Sequence, residues 1–163
     1  MVENQLVWRE EVRRGDLEVV RSLCRSSGFF SEEEVELAAE LVEEHLIKGT
    51  ISGYHFLFAQ QGDQVLGYAC YGPVPATESS WDLYWMVVDD QKRGQGLGRR
   101  LQAEAERMIY RGGGRRIYIW TSSREQYQPT RFFYERLGYT AEAILRDYYA
   151  AGENLVIYVK AVS

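Results

Sequence analysis

Cysteine and histidine are nearly absent from this chain, with two of each among 163 residues. Cys24 and Cys70 sit among apolar neighbours with no metal-ligand spacing. A disulfide framework is therefore not expected; one bridge between the two stays open, and two buried free thiols in a reducing cytoplasm is the plainer reading. With only His45 and His55 available, a histidine metal centre is not expected either, and no metal is assigned. Excess positive charge is also missing: 19 Lys and Arg against 24 Asp and Glu give a formal charge of −5. That balance argues against nucleic acid or an anionic membrane as the main partner. No run approaches the ~20 apolar residues of a membrane span, and MVENQLVWRE has no apolar core of signal-peptide length. What is present is ordinary for a soluble globular protein, 45% hydrophobic and 26% charged residues. One domain over 1–163 is the expectation.

Along the chain, LVWREEV (6–12) alternates like a strand, and Asp16 reads as the N-cap of a helix through LEVVRSLCRSS. Ser31 with Glu34 forms a capping box for a second helix, whose apolar face is traced by Val35, Leu37, Ala38, Leu41, Val42 and Leu46. HFLFAQQGDQVLGYACYG reads as two strands around QGDQ. WDLYWMVV (81–88) has little polar alternation, which predicts a central strand covered on both faces. A helix with Leu97, Leu101, Ala105, Met108 and Ile109 on one side follows, stopped by RGGGRR. RIYIWTS is another strand, Pro129 opens a short helix ended by Gly138, and two strands around AAGEN close the chain. The resulting order, β-α-α-β-β-β-α-β-α-β-β, predicts a mixed α/β (α+β) fold. Its expected form is a mostly antiparallel sheet of six to seven strands flanked by about four helices.

Three glycines at alternate positions, Gly94, Gly96 and Gly98, separate the central strand from its helix. The first N–H groups of a helix lack intrahelical partners and carry partial positive charge. Glycines remove the Cβ atoms that would hold an anion away from them. Arg93, Arg99 and Arg100 add full positive charge in an otherwise acidic protein, so the turn looks built for a phosphate or pyrophosphate. It is not a Walker loop, because no Gly-Lys-Ser/Thr follows four spacer residues. Nor is it a dinucleotide fingerprint: the third glycine comes one residue early, and the motif follows roughly the fourth strand instead of the first.

Arg93-Gly94-Gln95-Gly96-Leu97-Gly98 resembles the (Gln/Arg)-x-x-Gly-x-(Gly/Ala) pyrophosphate loop of the GNAT N-acetyltransferases. FFYERLGY (132–139) is similar to that family's Phe-Tyr-Glu-Lys-x-Gly-Phe segment, and the element order matches over nearly the whole chain. The resemblance implies acetyl-CoA as co-substrate. Arg93 to Arg99 would hold its pyrophosphate, and the main chain of Met86, Val87 and Val88 would bond to pantetheine as an added strand does. It also implies that Tyr134 serves the departing sulfur. For the base, Asp82 is the first choice: a lone carboxylate inside an apolar strand is costly unless paired or functional, and it stands eleven residues before Arg93, as the glutamate of histone-acetylating relatives does. A salt bridge or loop cap is the structural alternative for Asp82, core packing is that for Tyr134, and Glu78 is a weaker base. Tyr127 departs from the family pattern, occupying a position where many relatives carry an asparagine that contacts the cofactor.

The acceptor is read from aromatics at the expected cleft, Phe29, Phe30, Trp81, Tyr148 and Tyr149, which suit a small amine with an apolar part or a peptide N-terminus. RDYY (146–149) resembles the Arg-x-Tyr-Tyr of ribosomal-protein alanine N-acetyltransferases. The acidic run SEEEVE could draw in a cation but more simply stabilises a helix start. The expected activity is acetyl transfer from acetyl-CoA to a primary amine by direct attack in a ternary complex. Two other classes stay open, a non-catalytic acyl-CoA-binding regulatory module and a nucleotide-binding domain for ATP or NAD. A homodimer is compatible with the sequence, which does not decide the oligomeric state.

Overall fold

The Ser31 hydroxyl accepts the Glu34 N–H while the Glu34 carboxylate accepts the Ser31 N–H. This reciprocal cap, worth about 1 kcal/mol, starts the second helix where its spacing predicts. The same acidic run is otherwise spent on ion pairs, Arg25 with Glu32 and Arg21 with Glu36. The computed structural model describes residues 5–163, and the reading of a leader-free start falls partly on 1–4, outside the described residues.

The chain runs β1 (Leu6–Arg9), α1 (Asp16–Ser27), α2 (Glu32–Lys48), β2 (His55–Gln61), β3 (Gln64–Pro73), β4 (Ser80–Val88), α3 (Leu97–Arg111), β5 (Arg116–Ser122), α4 (Gln128–Arg136), β6 (Thr140–Ala150) and β7 (Glu153–Ala161). This is the expected order. The strands form one seven-stranded sheet in the order β1-β2-β3-β4-β5-β7-β6, antiparallel except at β4–β5. Its two faces carry separate cores. Val20, Val35 and Val42 of α1 and α2 pack on Phe56, Phe58 and Tyr68 on one side. Leu101, Ala105 and Ile109 of α3, with Tyr134 of α4, pack on Leu83, Ile117 and Ile119 on the other.

Three local expectations are corrected. Asp16 is not the N-cap but the first residue of α1, after Gly15. Its carboxylate, 2% exposed, turns back to accept the Arg13 N–H at 2.7 Å and both guanidinium arms of Arg9 at 2.8 and 2.9 Å. Leu37 is exposed: it lies about 200° around the helix from Val35, and Ala39 takes the inward place. The central strand is covered unevenly. In β4 the register to β3 jumps from Cys70↔Trp85 to Tyr71↔Leu83, leaving Tyr84 as an extra residue. One extra residue exchanges the faces of everything after it. Trp81 and Leu83 therefore face α3 and α4 before the bulge, whereas Trp85 and Val87 face α1 and α2 after it.

Candidate active site

Parallel pairing of β4 with β5 covers only Ser80–Leu83 against Arg116–Ile119. Beyond Leu83 and Ile119, β4 continues to Val88 on β3 alone, while β5 continues to Ser122 on β7 alone. The bulge at Tyr84 raises the local twist and turns β4 away from its neighbour. A gap opens in the middle of the sheet, bordered on one side by the edge of Tyr84–Val88, including Met86, Val87 and Val88. An unpaired strand edge is a ready template for an extended ligand.

At the far end of that edge the glycine turn leads into α3. Gly94 and Gly96 have φ of +75° and +81°, a left-handed conformation that side chains disfavour. Gly98 has ordinary helical geometry, and a Cβ there would lie 3.6 Å from Phe133 and 3.8 Å from Val88, at normal contact. The first intrahelical bond runs from the Arg100 N–H to the Gly96 carbonyl, so the N–H groups of Leu97, Gly98 and Arg99 precede the ladder. Nothing lies within 4 Å of a Cβ built at Gly94 or Gly96. The turn thus offers an open cradle of donors, and the residues present fit a pyrophosphate. Leu97 itself is buried, so its main chain is what it can offer. Gln95 leans back toward the Gln91 carbonyl.

The arginines differ. Arg93 Nε is 3.4 Å from Asp90 Oδ1, and its guanidinium lies 4.9 Å from the centre of the Phe29 ring. Arg100 lies over Trp8. Arg99 is exposed and has no partner among the described residues.

Tyr134 lies on the α3–α4 side of the gap, 6% exposed, with its ring edge-on to Phe133 and Tyr139. Pro129 in the first turn of α4 helps start the helix, and three tethers hold it. Arg131 donates to the Ser122 and Arg124 carbonyls at 2.7 and 2.8 Å, Tyr158 donates to Glu135 at 2.8 Å, and Tyr139 is bonded by Gln102 at 2.6 Å and donates to Glu106. No hydrogen bond reaches the Tyr134 hydroxyl among the described residues. The fully buried side-chain polar atom left without a partner there is Gln102 Oε1, so the Tyr134 hydroxyl opens to accessible space. Burial pushes its pKa up.

Asp82 stands on the opposite face. It is half-buried, forms no ion pair or hydrogen bond among the described residues, and burial pushes its carboxyl up. Among the described residues no salt bridge or loop cap accounts for it structurally, and Glu78 is exposed in the preceding loop. Asp82 lines a cavity of about 240 Å³ with Leu83, Tyr84 and Trp120. Tyr84 is pushed up to about 12 by burial and by the Asp82 charge.

The predicted acceptor aromatics separate. Trp81 is corrected to a core residue: adjacent to Asp82 on a strand, it points the other way, where it packs on Tyr71 and beneath Gly112 and Gly114. Phe29 and Phe30 do not line the cavity beside Asp82. Phe29 joins the glycine turn to Tyr127, whose ring is 6.1 Å away and whose hydroxyl donates to the Phe29 carbonyl at 3.5 Å, while Phe30 packs on Trp85. Tyr148 reaches the cavity through Trp120, and Tyr149 supports Tyr148. Trp120 and Tyr84 were not singled out from the sequence. The alternation in RIYIWTS, Ile117 and Ile119 inward and Tyr118 and Trp120 outward, carries the signal for the first. Nothing local marks the bulge.

Residues 52–141 match the model of the Acetyltransferase (GNAT) domain. The chain is similar to a solved GNAT-family protein of Desulfovibrio desulfuricans, at 46% identity and a TM-score of 0.96, over 98% of this chain and 100% of the other. A coenzyme A complex of an aminoglycoside 6'-N-acetyltransferase shares the fold, with 22% identity and a TM-score of 0.78 over 95% and 96% of the two chains. Among curated proteins, the uncharacterized N-acetyltransferase YuaI of Bacillus subtilis (strain 168) is 24% identical over 94 residues. That match spans 56% of this chain and 51% of YuaI, about half the length of the relative.

Proposed function

The chain belongs to the GNAT acetyltransferase family, and from that premise we propose that it moves an acetyl group from acetyl-CoA to a primary amine, of a small molecule or a peptide N-terminus, by direct attack in a ternary complex. The observation that carries this reading is the gap past Leu83 and Ile119, with an open glycine cradle at its end, Tyr134 on one face and Asp82 on the other. Structures in the same fold bind coenzyme A, as the aminoglycoside acetyltransferase does. We take 1–163 as one catalytic domain. Its buried free cysteines suit a reducing compartment, which we take to be the cytoplasm.

In this mechanism acetyl-CoA supplies the activated acetyl group, and the protein supplies position and proton control. The main chain of Met86, Val87 and Val88 binds the pantetheine arm along the freed strand edge. Gly94 to Gly98, with the uncommitted Arg99, hold the pyrophosphate. The acceptor enters from the Asp82 side. An alkyl ammonium of pKa ~10.4 keeps about one molecule in a thousand neutral near pH 7.4, a handicap of about 4 kcal/mol. Asp82 cannot lift that handicap by itself, being the weaker base; its work is to hold the amine and to take the proton as the forming C–N bond makes the nitrogen acidic, through a water where its shorter side chain falls short. Tyr134 faces the sulfur from the other side. Its raised pKa makes full proton transfer to a thiolate of pKa ~8.5 uphill, so its work is a hydrogen bond to the departing sulfur. Arg93 is already engaged by Asp90 and Phe29, so it orders the turn as much as it adds charge.

Thiol release with acetyl-CoA and an amine panel tests the reading. Turnover lost in both Tyr134→Phe and Asp82→Asn supports it. Tight acetyl-CoA binding without turnover on any amine favours the regulatory module instead.

A further inference from the structure

The sheet face that carries Asp82 is only half covered. The helices α1 and α2 lie over β2, β3 and, through Val87, the far half of β4. Asp82, its register neighbour Tyr118 and then Trp120 continue that face beyond the helices, with Trp120 54% exposed. A tryptophan left open beside an unpartnered carboxylate is the least expected surface on this face. Its plane is set by neighbours: Tyr148 meets it edge-on at 6.1 Å, and Tyr149 meets Tyr148 edge-on at 5.0 Å. The backbone behind Tyr148 is held in turn, for Asp147 adopts φ +55°, donates its N–H to Asn154 and accepts that of Gly152. This is a wall prepared in advance of a ligand.

We propose that the cavity between Asp82 and Trp120 is the acceptor site and selects a small primary monoamine bearing one flat apolar ring, an arylalkylamine, its nitrogen at Asp82 and its ring on Trp120. The inference rests on the acetyltransferase reading above. Charge supports a monocation, because Asp82 is the one acid lining the cavity. Glu153, on the neighbouring β7, is bonded by Ser122 at 2.9 Å and lies 3.9 Å from Arg124. Glu34, whose charge also reaches Tyr149, accepts the Ser31 N–H in the helix cap, so a second ammonium would meet only carboxylates already engaged. The aromatic wall supports flatness, because edge-supported rings prefer an aromatic partner stacked or tilted against them.

The test uses the full chain with coenzyme A or acetyl-CoA and four probes: 2-phenylethylamine, n-butylamine, kanamycin and an alanine-initial hexapeptide. Tryptophan fluorescence reads amine binding in the presence of coenzyme A, and thiol release reads turnover. The expected result is quenching by 2-phenylethylamine and a kcat/KM at least about tenfold above n-butylamine. Trp120→Ala should raise KM for 2-phenylethylamine about tenfold and abolish its preference over n-butylamine, while Trp120→Phe restores the ring preference. Binding of 2-phenylethylamine at Trp120 without its acetylation upholds the site and overturns the acetyltransferase reading. Turnover of kanamycin, the peptide or n-butylamine at or above the rate of 2-phenylethylamine overturns the site and keeps the acetyltransferase reading. Absence of both binding and turnover for 2-phenylethylamine overturns the site.

Discussion

Leu83 and Ile119 are the last paired residues of the parallel ladder between β4 and β5. One position further, Tyr84 bulges out and Trp120 turns to the open face, so the sheet parts at its centre. Both residues are buried against α3 and α4, which makes the fork a packed, rigid point. A ligand lying in it would meet Tyr134 on one side and Asp82 on the other without either side chain crossing the sheet.

Tyr134→Phe should lower kcat by about 10²-fold and leave the thermal midpoint unchanged, since no hydrogen bond to the hydroxyl is lost among the described residues. Parallel thiol-release and unfolding measurements check this. An equal loss of stability and activity would mean that Tyr134 is a packing residue.

Asp82→Asn should cost activity by a similar factor and raise stability. Burial lifts the folded-state pKa of Asp82 above its unfolded value, so the folded chain holds this proton more tightly. Its ionisation then costs stability as pH rises from the ordinary carboxylate range through the raised value, and that cost is fully present at neutral pH. Asparagine removes it. The wild-type kcat should show an acid limb above the ordinary carboxylate range near ~4, and the variant should lose that limb. A lower thermal midpoint in the variant at pH 7 would contradict this.

The glycine turn predicts a contrast. Gly96→Ala forces a side chain into left-handed geometry, costing about 1–2 kcal/mol, and should weaken acetyl-CoA binding as well. Gly98→Ala meets only ordinary contacts with Phe133 and Val88 and should keep the fold. Unfolding curves for the two variants with and without acetyl-CoA check both halves.

Asp16→Ala leaves the buried Arg9 guanidinium without its counter-charge, holding only Gln60 Oε1 and the Glu11 carbonyl. Breaking one side of a buried pair typically costs about 3–5 kcal/mol, so the thermal midpoint should fall by about 10 °C, with KM for acetyl-CoA unchanged in the fraction that stays folded.

Element order, the central place of β4 and the glycine turn were legible because each rests on local chemistry: periodicity, the Ser31–Glu34 cap, and glycines before a helix. Asp82 was legible because a lone acid interrupts WDLYWMVV. Trp81 beside it was misplaced because its partners, Gly112 and Gly114, are distant in sequence. The fork was not legible at all, since the bulge at Tyr84 arises from the β3 register and leaves no mark in composition. Trp120 becomes a candidate site residue only through that fork. Asp16 was misread because the competitor for its carboxylate, Arg9, belongs to a different element.

The most direct test of the central claim, that the cradle and the strand edge at the fork bind acetyl-CoA, is the thermal midpoint of the full chain with acetyl-CoA, with ATP and NAD as controls. At about 100 times the dissociation constant the ligand should add about 2.7 kcal/mol, or roughly 5–10 °C for a chain of this size. A shift with acetyl-CoA alone is the predicted result. No shift at saturating acetyl-CoA, or an equal shift with ATP or NAD, would contradict the account.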